Sequence, residues 1–478
     1  MALVRSILSL AFCAGFAFAG FSESRLSAGP VFDDFQLTLA PGHRVEILGP
    51  LYYHEQKESQ KQWAAPPLFS WTVDPDVESQ EFDFLYPFLT YDRFGGEYRF
   101  QFFQVFAFAG GRTQEEIRKH RFTLFPFYFQ QWSVDPKFNY FALVPFYGHL
   151  DNRLFHDDIR FILFPLYAKT RKKDVVTSNF GYPVFHLRHG DSLRGWQVWP
   201  LVGHEHKNPT TKTNALDETE VVGGHDKLFV LWPFFFNSHL ATGTANPEWQ
   251  QIFLPFYSLS RSPLRDSSTY FWPFGLTLTD DRERKFHEVG APWPLVVFAR
   301  GPGKTVSRVW PLFSQAHNAS QESNWYLWPI YKFNRYHSDP LDRQRTRIFF
   351  FLYSDIIEKN TATGDAARRR DFWPLFTFRR DLDGNERLQV LSIIEPVLPN
   401  NKSIERDYSP LYALWRSEKN ARSGARSQSL LWNLYRHESS PDRKKCSLLF
   451  GLFQYESVGT HKNWRLFFVP VGKPKSPE

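Results

Sequence analysis

Sulfur is almost missing from this 478-residue sequence, which holds two cysteines and one methionine. Two cysteines cannot build a disulfide scaffold. The 27 glycines show no triplet period, which excludes a collagen-type chain. Charged residues make up 22%, and aromatics are too frequent for a disordered polyelectrolyte. No run of eighteen apolar residues follows the N-terminus, so helical membrane spans are excluded. Neither a Gly-x-Ser-x-Gly elbow nor a His-Glu-x-x-His helix occurs. What is abundant is aromatic: 50 Phe, 20 Tyr and 16 Trp, 18% of the chain, together with 33 prolines.

The first nineteen residues read as a secretory signal. Arg5 supplies the positive n-region, residues 6–16 a short apolar h-region, and Ala17-Phe18-Ala19 a small-x-small cleavage site before Gly20. A lipoprotein reading through Cys13 is disfavoured by Phe12, where a small residue is wanted. After cleavage Cys446 is the only cysteine left. The domain organisation expected is a signal at 1–19, an N-terminal segment at 20–47, a repeat domain at 48–472 and a polar tail at 473–478.

One short motif recurs: apolar residues, Trp or Phe, Pro, Leu or Phe, then Tyr or Phe. It stands as Leu124-Phe125-Pro126-Phe127-Tyr128 and Leu163-Phe164-Pro165-Leu166-Tyr167, and later around Trp199-Pro200, Trp232-Pro233, Trp272-Pro273, Trp310-Pro311, Trp328-Pro329 and Trp373-Pro374. About 22 units, spaced by about 20 residues, form a repeat architecture. The apolar residues are contiguous rather than helically spaced, and turn-like flanks such as Gly301-Pro302-Gly303 bound them, so each unit reads as one strand centred on its proline. The fold class expected is all-β: an antiparallel meander of about 22 repeated strands, with residues 204–227 as its longest loop and one helix-like piece at 114–120. Two closures fit. An outer-membrane-type β-barrel explains export plus many strands. A bent two-layer or propeller-like β-repeat structure explains strands apolar on both faces. The motif resembles the Trp-Pro-Leu-Phe-type repeats of bacterial exported proteins over most of residues 48 to 472, a likeness that implies no activity.

Candidate chemistry is sparse. Gly301 to Thr305 has the flavour of a phosphate loop, but its first glycine would fall at Phe298 and no helix follows, so a tight turn is expected. His204, Glu205, His206 and His225, with His186 and His189, have metal-ligand chemistry without a completing cysteine or acidic cluster. Cys446 reads as a small hydrophobe, and Glu395 as a degenerate repeat position. Basic clusters at Arg171-Lys172-Lys173, Arg368-Arg369-Arg370, Arg379-Arg380 and Arg443-Lys444-Lys445 read as solubilising turn residues, or as contacts to anionic lipid or polysaccharide. Trp63, Trp71, Trp132, Trp249 and Trp415 lie outside the motif's central position and are the candidates for stacking on a ligand. No catalytic residue, cofactor or metal is expected. The function expected is that of a non-enzymatic exported cell-envelope protein, an outer-membrane barrel with a structural, pore or assembly role. The alternative is a soluble periplasmic or secreted protein that binds glycan or a protein. Outer-membrane lipid and envelope polysaccharide are its expected partners; nucleic acid is not.

Overall fold

The computed structural model describes residues 31–112, 118–213 and 219–471. Its chain is all-β: 43 strands form one antiparallel sheet in which each strand pairs with the next, and a separate hairpin (Thr210–Thr213 with Thr219–Val222) is inserted at one edge. The signal, the polar tail and most of the helix-like piece lie outside the described residues; residues 118–120 open the strand Arg118–Leu124. Residues 204–227 are no loop either, since their ends belong to the paired strands Val202–Lys207 and Gly224–Val230. Two short helices, Lys402–Asp407 and Ser409–Tyr412, interrupt the meander, and no helix is long and apolar enough to cross a membrane.

The expected strand position of the motif is overturned. Its proline does not occupy a strand centre but the turn between two strands: Phe372 ends one strand, Trp373-Pro374-Leu375 forms the turn, and Phe376 opens the next. Each twenty-residue unit therefore holds two strands of three to eight residues, and the strand number is about twice that expected. The polar stretches between motifs are strands too, such as Tyr331–Ser338 and Leu341–Ile348. Antiparallel pairing satisfies their backbone whatever the side chains, and Arg, Thr, Gln and Ser pair across the ladder.

The interior reverses the usual composition. Among the described residues fifteen hydrophobic side chains are buried, against thirty polar or charged ones. In the long middle of the sheet each strand makes its ladders with its chain neighbours. Small residues fill the inner face near the motif turns: Ala142, Ala168, Ser314 and Thr377 are buried. Gly148 belongs to this row, and an added Cβ would meet the Phe161 ring at 2.4 Å and Ala142 Cβ at 2.6 Å.

The two ends of the meander meet on that inner face. Thr38 Oγ1 donates to Ser427 Oγ at 2.7 Å, Asn433 Nδ2 to Glu46 Oε2 at 2.9 Å, and Tyr53 Oη to the Arg406 carbonyl at 3.0 Å. The Arg436 guanidinium lies 3.5 Å from the Phe35 ring centroid. Arg406, buried, reaches from the first helix to Thr72 Oγ1 and Glu81 Oε2, both at 2.9 Å, and to Asp83. A sheet whose opening strands reach residues 406–436 on one face is curled toward that face. Side chains join these two regions. Replacing Arg406 strands the buried Asp83 carboxylate, at a cost of about 3–5 kcal/mol. Arg406→Ala is thus expected to lower the urea midpoint sharply, whereas Arg422→Ala, at an exposed pair with Asp383, shifts it by well under 1 kcal/mol; equal shifts would refute the joint.

Candidate functional site: an apolar rim and the joint behind it

The 42 connections of the sheet alternate between its two edges, 21 on each. Apart from the helix-bearing connection at 391–414, the motif-edge turns contain no charged residue: they read Phe-Pro-Phe at 125–127, Leu-Trp-Pro-Phe at 231–234, Phe-Trp-Pro-Phe-Gly at 271–275 and Trp-Pro-Leu at 310–312. Their side chains are presented to solvent, with Phe271 71%, Leu166 62% and Phe274 60% exposed. The opposite edge carries Arg282-Glu283-Arg284-Lys285, Asp339-Pro340 and Asp381-Leu382-Asp383-Gly384-Asn385. Apolar and charged turns are thus segregated, with Leu154-Phe155 the conspicuous exception on the polar side.

Backbone groups at the apolar edge are paired from turn to turn. Phe164 N donates to Pro145 O at 2.6 Å, Tyr182 N to Pro165 O and Trp232 N to Pro200 O at 2.7 Å, and Trp328 N to Pro311 O at 2.9 Å. The peptide bond preceding each of these prolines is cis. The rim is therefore an apolar surface whose neighbouring turns bond to one another through their backbones.

Behind it runs a belt. The strand residues flanking each rim turn point to the outer face, and nearly all are apolar or aromatic: Leu124 and Tyr128, Ile162 and Tyr167, Phe180 and Phe185, Phe253 and Tyr257, Tyr353 and Phe372, Leu448 and Phe453. They pair across strands, Tyr167 opposite Phe180 and Tyr353 opposite Phe372. Trp415, one of the five expected stacking residues, belongs to this belt and stacks on Tyr435, with ring centroids 6.1 Å apart and planes 16° apart. Trp63 and Trp71 are cross-strand partners 5.3 Å apart, with His54 stacked on Trp63 at 5.0 Å. Trp132 stacks with His120, and Trp249 donates to Asn237. The five tryptophans make no common site; only Trp63 and Trp71 come together.

The other sequence candidates resolve into structure. Gly301 to Thr305 spans a turn of the polar edge, from which Lys304 Nζ reaches Glu288 at 2.5 Å. His204 and His206 both face Asp226, at 2.8 and 3.3 Å, while His225 meets Glu205 at 2.7 Å; all lie on paired strands rather than in a loop. No group of three potential metal ligands forms among the described residues. Cys446 is half-buried opposite Tyr455, and burial pushes its thiol upward. Glu395 is the residue that sequence reasoning undervalued. It is buried and held by Arg379 at 2.7 Å, by Arg387 at 3.5 Å and by the Ser409 hydroxyl at 3.1 Å. Burial opposes its charge, but the guanidinium groups of Arg387, Arg379 and Arg369 outweigh burial and hold the carboxyl below its usual range.

Asp407, next to Arg406 in the joint, behaves oppositely. It is buried beside Ser70 and Asp83, and its nearest cation is Arg406 Nε at 3.8 Å. Burial raises its carboxyl to about 7, with the Asp83 charge adding to the effect. The chain matches no family model, and no curated protein is similar to it in sequence.

The sign of the Asp407 effect is testable. Between its ordinary value of 3.8 and about 7, the folded protein holds a proton that the unfolded chain has released. Stability therefore falls as pH rises through that window, by on the order of 3–4 kcal/mol at most, and the full cost is present above pH 7. Below pH 4 the depressed carboxyls of Glu395 and Glu418 take up protons and stability falls again. Asp407→Asn is expected to flatten the decline between pH 4 and 7 and to raise the melting temperature at pH 8; equal pH slopes in both proteins would refute the assignment.

Proposed function

We propose that this protein is a non-enzymatic exported component of the cell envelope that stands on its apolar rim in one leaflet of the outer membrane, with a structural role there. The observation carrying this reading is the uncharged rim with its backbone hydrogen bonds closed from turn to turn, because hydrocarbon tolerates only backbone whose polar groups are satisfied internally. Trp and Tyr suit the headgroup level. The rim turn with the first outer row is about 10 Å tall, which matches the 5–10 Å depth of interfacial insertion.

A spanning barrel, the other form of this reading, asks more of the strands. It needs 9–11 residues per strand and an apolar band about 25 Å tall. Strands of three to eight residues with Arg160, Lys169 and Arg370 on their outer face favour a single leaflet. A second reading, glycan binding, is favoured by the adjacent Trp63 and Trp71, whose half-buried rings lie 5.3 Å apart on one side of the sheet.

The whole protein is expected to float with phospholipid vesicles in high salt, and chain-brominated lipid should quench its rim tryptophans. The triple variant Phe271→Glu, Leu312→Glu, Trp328→Glu should bind vesicles at least tenfold more weakly while keeping its folded far-ultraviolet spectrum, since these side chains are exposed. Unchanged vesicle binding, or release into the periplasmic fraction, would overturn the reading. Heat-modifiable migration in gels would instead support the spanning barrel. For the glycan reading, Trp63→Ala with Trp71→Ala should abolish retention on envelope polysaccharide that the rim variant keeps.

A further inference from the structure

The inner face between residues 331 and 372 carries cations that the fold leaves unneutralised. Lys332 and Arg347 are direct cross-strand partners. Arg345 lies on the same face two residues farther from the rim, opposite Asn334. Direct partners have Cβ atoms about 5 Å apart, and same-face neighbours along a strand about 7 Å. Three long basic side chains thus converge on one patch small enough for a single tetrahedral anion.

Elsewhere in this region positive charge is matched. Arg343 pairs with Glu358 at 3.0 Å, Arg368 with Asp355 at 2.6 Å and Arg369 with Asp371 at 2.8 Å. Lys332, Arg345 and Arg347 have no carboxylate or hydrogen-bond partner among the described residues. Two donors are conspicuously idle: Arg345 Nε and Ser354 Oγ are both buried without a partner, and Ser354 stands directly across the ladder from Arg347. Orphaned buried donors are costly, so a site with two of them beside unpaired like charges is arranged for a group that brings acceptors. Burial, then Arg347 and Arg345, hold the Lys332 ammonium below its usual range; burial, then Arg347 and Arg343, do the same to Arg345. An anion between them relieves that repulsion. The nearest acid on this face is Asp371, opposite Ser354; its Oδ2 accepts from Arg369 Nε, its Oδ1 is buried without a partner, and its charge offsets part of the repulsion at Arg345.

We propose that Lys332, Arg345, Arg347 and the Ser354 hydroxyl form a binding site for a phosphate oxyanion, a free phosphate or a phosphate-bearing lipid headgroup. Guanidinium forks match such an oxyanion geometrically, and the lysine adds a point charge. The site goes beyond the membrane reading and does not require it. It lies one residue from the rim turns at 327–330 and 349–352, the headgroup level of a rim-seated sheet.

The test uses the full chain and two probes. Inorganic phosphate, titrated by calorimetry at constant ionic strength, should bind saturably and raise the melting temperature relative to chloride. The double variant Arg345→Gln, Arg347→Gln should lose at least tenfold in phosphate affinity, and its melting temperature without phosphate should not fall, because like charges have been removed. The control Lys172→Gln, Lys173→Gln, at the polar edge, should bind as the parent does. Flotation with phosphatidic acid vesicles, against phosphatidylcholine, distinguishes the sources. Loss of the phosphatidic acid preference in the Arg345/Arg347 variant marks a lipid headgroup, whereas its retention alongside lost phosphate binding marks a free phosphate. Absence of saturable phosphate binding and of thermal protection in the parent protein, or equal losses in both variants, would overturn the proposal.

Discussion

The backbone ladder between consecutive strands is the interaction on which the rest of this structure depends. Every strand of the sheet finds its ladder partners among its neighbours in the chain. Burial of apolar surface, the usual source of stability, is correspondingly scarce. The inner face is filled instead by small residues, and by ion pairs concentrated where the ends meet. Stability in such an arrangement is close to a sum of hairpins and their neighbour contacts, and the joint is the place where distant parts of the chain depend on one another.

The same constraint explains the rim. A row of turns at a sheet edge normally relies on water for its free backbone groups. Here neighbouring turns bond to one another through their backbones, as Phe164 does to Pro145 and Leu254 to Phe234, so the edge can be built from Trp, Phe, Leu and Pro with fewer polar groups left to water. The belt behind it, Tyr167 against Phe180 and Tyr353 against Phe372, extends that surface over the outer face. Polar turns at the far edge and polar inner strands keep the remaining surface hydrated. One molecule thus separates a dry edge from a wet one without a helix or a long hydrophobic segment.

The all-β class, the antiparallel meander and the twenty-residue period were legible in the sequence, because aromatic segments with turn-forming flanks admit little else. Strand placement was not. A contiguous run such as Phe372-Trp373-Pro374-Leu375-Phe376 resembles a buried strand when burial is assumed to drive strand formation, and a polar stretch such as Asn334 to Arg347 resembles a loop. In this sheet that assumption fails, since polar residues form strands through their ladders and the apolar residues mark the turns. The rim was invisible for the same reason: its residues were recognised, but as core. Glu395 stood out only as an acid before a repeat proline, because the arginines that hold it, Arg379 and Arg387, come from other strands. Asp407 carried no local signal at all, as its burial arises from strands more than 300 residues away in sequence.

The joint between the ends also governs size. A closed barrel fixes strand number, tilt and shear together, so that a hairpin cannot be added without resetting the register of the whole. A lap seam, fastened by Arg406, Asp83, Glu46 and Asn433, imposes no such condition on the strands between. Each added hairpin lengthens the perimeter by about 10 Å and touches only its two neighbours. The span of sheet between the joined regions is therefore a matter of counting hairpins, and duplication or loss of one unit changes that span while leaving the seam's own residues as they were.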